Sequence, residues 1–125
     1  MAINEDGYKG EKLGFDFFKK LGMKCFQSDL NVMDKDGSYF MVEIKYQEKF
    51  KAPPFDGHGL PPYQVKARID FYNKTGIRCL FLVFDKEDNN AYYQWLDVLE
   101  SRNKMTTKTG GRVIYDLKSF QVKKI

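Results

Sequence analysis

Residues 77–84 form a nearly continuous apolar run, broken only by Arg78. A run of that length without polar alternation predicts a central strand covered on both faces. Such a strand needs packing layers on either side, which an α/β arrangement supplies. A second strand-like run, 39–46, does alternate. Successive strand side chains point to opposite faces, so Phe40, Val42, Ile44 and Tyr46 form a core face and Glu43 and Lys45 share the other. Between the two runs lies a stretch, 47–60, that reads as irregular because it carries Pro53, Pro54, Gly57 and Gly59. Pro61 and Pro62 then open a helix that carries Val65, Ile69 and Tyr72 on one stripe and stops at Gly76. The strand–helix–strand step from 39 to 84 predicts a right-handed parallel crossover.

The first element reads as a helix over 7–21, capped by Asp6 or Asn4 and ended by Gly22. Lys9, Lys12, Asp16, Lys19 and Lys20 fall in one polar arc. Glu11 falls instead beside Phe15 and Phe18, an inward position that costs free energy unless the carboxylate has a partner. Residues 23–33 read as one or two strands, and 34–37 (Asp-Lys-Asp-Gly) as a hairpin turn. After the apolar run come a polar turn at 85–90 and a strand at 91–96. Asp97 caps a short helix through Arg102, and a polar loop follows over 103–111. Residues 112–122 form a last strand, or a helical turn plus a strand. The predicted order is α-β-β-β-α-β-β-(α)-β, one domain over residues 1–125.

Composition narrows the function classes. Hydrophobic residues make up 42% of the 125 residues, enough for a core without disulfide staples. A net charge of +4 and a pI near 9.0 favour an anionic partner, although ordinary surface lysines give the same excess. Cys25 and Cys79 sit in apolar runs and read as buried thiols, and with His58 the sole histidine there is no Cys/His spacing for zinc. There is no signal-type h-region and no apolar run near the ~18 residues of a membrane span, so a cytoplasmic protein without a membrane partner is expected. Nothing points to a small-molecule organic cofactor.

The chemistry lies on the polar face of the alternating run. Glu43 and Lys45, with Asp29 on a preceding strand, can hold a divalent metal and a water together, which suits phosphodiester hydrolysis. The order of Glu11 on a first helix, Asp29 on a strand and Glu43-Ile44-Lys45 after a hairpin resembles the PD-(D/E)XK nuclease superfamily. The likeness covers roughly residues 8–85, with Ser28 in the place of the name-giving proline. Residues 59–64 (Gly-Leu-Pro-Pro-Tyr-Gln), followed by Gly76 and an apolar strand, resemble the virus-type replication–repair nuclease and Holliday-junction-resolvase-like branches. Arg68 stands where the RecB-like branch carries a tyrosine.

The resemblance implies a restriction-endonuclease-like core, α-β-β-β-α-β, with a mixed central sheet flanked by helices. It implies a DNA endonuclease dependent on Mg²⁺ or Mn²⁺, acting on branched or repair and recombination DNA, as a homodimer, in a bacterial or phage-infected cell. Asp29, Glu43 and the Ile44 carbonyl would bind the metal, and Glu11 an outer-sphere water or a second metal. Lys45 would orient the attacking water, and Gln64 would bond Lys45 or that water. Alternatives on the same fold are a non-catalytic DNA- or protein-binding module and a sequence-specific restriction-type endonuclease. Lys49, Lys51 and His58, in the stretch with Phe50 and Phe55, are candidates for phosphate and base contacts, as are Arg68, Lys104, Lys108 and Arg112. His58 also reads as a candidate general acid or an incidental loop residue.

Overall fold

The computed structural model describes residues 5–26, 31–52, 55–107 and 110–124. In chain order they form α1 (Glu5–Lys20), β1 (Lys24–Phe26), β2 (Asn31–Met33), β3 (Tyr39–Gln47), β4 (Phe50–Ala52), β5 (Phe55–Leu60), α2 (Pro62–Thr75) and β6 (Cys79–Asp85). Then follow β7 (Asn90–Trp95), α3 (Leu96–Glu100), β8 (Lys104–Thr106), β9 (Val113–Asp116), a 3₁₀ turn (Leu117–Ser119) and β10 (Gln121–Lys124). The chain is α/β. A mixed sheet has the order β1-β2-β3-β6-β7-β10, and a second sheet the order β4-β5-β9-β8. No helix among the described residues is long and apolar enough to cross a membrane.

The apolar run is β6, and every residue in it is buried. Leu80, Leu82 and Phe84 join Phe40 and Val42 of β3 and Phe18 of α1 in one core. Cys79, Phe81 and Val83 face the opposite way, into a second core with Val65 of α2, Leu96 and Leu99 of α3 and Tyr115 of β9. Burial on both faces removes any reason for alternation. It also pushes the Cys79 thiol up to about 12, so this cysteine is an inert packing residue.

β3 and β6 pair in parallel, with Glu43 opposite Phe81 and Lys45 opposite Val83. α2 is the crossover between them, as the spacing predicts. Pro62 stands in its first turn, and Gly76 ends it with φ +76° and its N–H on Tyr72 O at 2.8 Å. The 34–37 turn joins β2 to β3, with Gly37 N–H donating to Asp34 O at 3.0 Å.

Four local expectations are corrected. Asp6 lies within α1 and is not its cap, while Asn4 lies outside the described residues. Asp97 is inside α3, and its carboxylate accepts two bonds from Arg78, at 3.0 and 2.8 Å. The stretch 103–111 holds strand β8, paired to β9. The stretch 47–60 is a hairpin, β4–β5, and β5 continues the second sheet through β9.

The glycines that read as loop punctuation allow that last pairing. A Cβ on Gly57 would lie 2.1 Å from Tyr115 O, and one on Gly59 2.4 Å from Val113 O. Both obstacles are backbone, which cannot swing away. Gly59→Ala is therefore expected to cost at least the ~1–3 kcal/mol of an overpacked core. A urea midpoint equal to wild type would contradict this.

Candidate functional site

The site builds from the backbone of β3. Met41 N–H donates to Arg78 O at 3.0 Å, and Gln47 O accepts from Lys86 N–H at 3.0 Å. Peptide groups of odd-numbered residues along β3 therefore face β6, and those of Ile44 face the other side. On that side β2 pairs only with Tyr39, Phe40 and Met41. Among the described residues no strand takes the Ile44 carbonyl.

Glu43 and Lys45 project from the face of β3 opposite α1, as the alternation predicts. Arg68 of α2 reaches Glu43, its Nε and Nη2 each 2.7 Å from Oε1. The two side chains are 23% and 13% exposed, so the pair is largely withdrawn from water. Oε2 of Glu43 has no partner among the described residues. Neither does the half-buried Lys45 ammonium. Gln64 stands one turn before Arg68 on the same helix face. Its Nε2 lies 3.4 Å from Tyr63 Oη, and its buried Oε1 has no hydrogen-bond donor. No hydrogen bond joins Gln64 to Lys45 or Glu43.

The structure thus brings Arg68 to Glu43 on the face that Lys45 shares, with Gln64 one turn from Arg68 on α2. Asp29 and Lys108 lie outside the described residues. Glu11 is a correction: its side chain is solvent-exposed. Among the α1 residues whose burial is described, Gly10, Gly14 and Phe18 are buried and Glu11 is exposed. Lys51 is exposed and 3.4 Å from Asp56. Lys104 pairs with Glu100 at 3.0 Å, and Arg112 is exposed with Nη1 on Gly111 O at 2.7 Å.

Lys49 and His58 are also corrections, because both belong to a polar network that the sequence reading missed. His58 is fully buried and cannot touch DNA. Its Nε2 lies 2.8 Å from Asp85 Oδ2, and Gln47 Nε2 lies 3.1 Å from its Nδ1. The amide donates to Nδ1, so the proton sits on Nε2 and points at Asp85. Burial holds the imidazole below its ordinary value of 6.5, against the pull of Asp85. Lys49 Nζ reaches Asp85 Oδ2 at 2.8 Å and Asp88 Oδ2 at 2.9 Å. Burial alone would raise Asp85. Lys49, the Glu87 N–H and His58 outweigh it and hold the carboxyl below its ordinary value. Tyr92 donates its hydroxyl to Asp88, which is lowered to about 2. The only sequence signal for this network was Asp85, the first acid after the apolar run.

Among the described residues no three His, Cys, Asp or Glu side chains converge as a metal-holding group. Among the described residues the oxygen donors on β3 are one carboxylate oxygen of Glu43 and the Ile44 carbonyl. Comparison with protein-family models and with curated proteins gives no match.

Proposed function

We propose that this chain is a metal-dependent DNA endonuclease of PD-(D/E)XK type, built on a restriction-endonuclease-like core. One observation carries the reading. Glu43 and Lys45 share the face of β3 on which Arg68 of α2 reaches Glu43, with Ile44 between them in the strand.

The donor chemistry fits the metal. A free carboxylate oxygen and a backbone carbonyl are the hard donors that Mg²⁺ and Mn²⁺ take, with waters and a further carboxylate completing the shell. Glu43 and Ile44 would hold the ion, with Asp29 as the further carboxylate. When bound, such an ion polarises the scissile phosphate and lowers the pKa of a water. Lys45 donates from Nζ to a non-bridging phosphate oxygen as negative charge develops there. Gln64 Oε1 accepts a proton-bearing edge of the attacking water and so orients it. A buried acceptor without a donor is costly, and a water at that point would satisfy it. Branched DNA is the proposed substrate, cut by two copies acting on opposed strands.

The experiment is direct. Purified protein is incubated with end-labelled linear, flap and four-way-junction DNA, with Mg²⁺, Mn²⁺ or EDTA. Metal-dependent cleavage of the junction is expected, with none in EDTA. The Arg68–Glu43 pair favours a second reading, a module of the same fold that holds DNA without cutting. That reading predicts binding unaffected by EDTA and no cleavage under any condition.

A further inference from the structure

We propose that Arg68 guards Glu43. It occupies the carboxylate in the free protein and transfers to a DNA phosphate when substrate arrives, so that the divalent cation binds tightly only with DNA present. The inference rests on the nuclease reading and adds a control to it.

The geometry gives the reason. The two guanidinium contacts to Glu43 both fall on Oε1, at 2.7 Å each, where a relaxed fork would divide them between the two oxygens. Glu43 is therefore half-used: Oε1 is taken and Oε2 is open. A cation on Oε2 would sit beside a guanidinium in a largely water-free place, where like charges repel strongly. While Arg68 stays, metal affinity is suppressed. A guanidinium fits a phosphate as well as it fits a carboxylate, so a DNA phosphate is a natural second partner. Gln64 supplies an independent sign that the closed arrangement is incomplete. One turn from Arg68, its buried Oε1 has no donor. The bound state would bring a water to it.

The coupling must be reciprocal. If DNA removes the guard and tightens metal binding, metal tightens DNA binding by the same factor.

The test is Mn²⁺ binding, read by electron paramagnetic resonance on the free protein. Arg68→Gln should bind Mn²⁺ about tenfold more tightly than wild type, within the ~5–150-fold range of coupled sites. Arg68→Lys, which keeps the charge but loses the fork, should fall between and serves if the glutamine variant does not fold. In a Lys45→Ala background, which keeps the DNA whole, a four-way junction should tighten Mn²⁺ binding, and adding Arg68→Gln should remove that gain. Equal Mn²⁺ affinity in wild type and both Arg68 variants, still abolished by Glu43→Gln, overturns the guard and leaves the nuclease reading standing. Mn²⁺ affinity that Glu43→Gln does not change in any background overturns the nuclease reading, and the guard with it.

Discussion

Glu43→Gln and Lys45→Ala are each expected to lower cleavage of junction DNA by at least ~10²–10³-fold, the loss typical when one charge-stabilising group is removed. The two changes differ in what they do to the fold. Lys45 has no partner among the described residues, so truncating it leaves no buried charge behind. Glu43 holds Arg68 at 2.7 Å, and alanine would remove that carboxylate from a half-buried guanidinium. Glutamine keeps an oxygen for Arg68 and removes only the charge. Melting temperatures within a few degrees of wild type should therefore accompany the loss of cleavage. Unchanged rates in both site variants would end the nuclease reading.

The parts of this fold that were legible in the sequence are those set by local periodicity. Alternation placed Glu43 and Lys45 on one face, and continuous apolarity placed β6 at the centre. Pro61, Pro62 and Gly76 bounded α2. What was illegible depends on approach between distant segments. Gly57 and Gly59 carry the signal of a loop, yet they serve a strand that lies too close to β9 for any side chain. Glu11 was assigned from the apolar residues of α1. The described burial instead turns Gly10, Gly14 and Phe18 inward, and a Cβ on Gly10 would lie 3.3 Å from Ile44 Cγ2. His58 lies 27 residues from Asp85, and Arg68 25 from Glu43. Pairings of that range become visible only once β3 and β6 lie side by side.

The buried network gives the second large effect. Asp85 ends β6 with its side chain fully buried, and it holds four groups at once. Oδ2 takes His58 and Lys49, and Oδ1 takes the Glu87 and Asp88 N–H groups at 2.7 and 3.3 Å. Asp85→Ala leaves Lys49 and His58 without their shared acceptor and releases the turn into β7. A loss of about 3–5 kcal/mol is expected, as for breaking a buried ion pair from one side. The same network should make the wild type acid-sensitive. His58 binds its proton less readily folded than unfolded. As pH falls from the unfolded value of 6.5 toward the lower folded one, the unfolded chain takes up more protons and stability drops. Asp85, held below its ordinary 3.8, adds a further loss at lower pH, as its own folded value is approached. Lys49 is raised above its ordinary 10.5, so its contribution is intact throughout this range and fades only at alkaline pH. Because the chain has 1 histidine, the step just below pH 6.5 has a single source. Urea midpoints for wild type should be flat from about pH 7 to 9 and fall between about pH 6.5 and 5. In His58→Gln the midpoint should start lower and stay level through that interval. A wild-type profile level down to pH 5, or an equal fall in His58→Gln, would show that the imidazole is not held neutral in the fold.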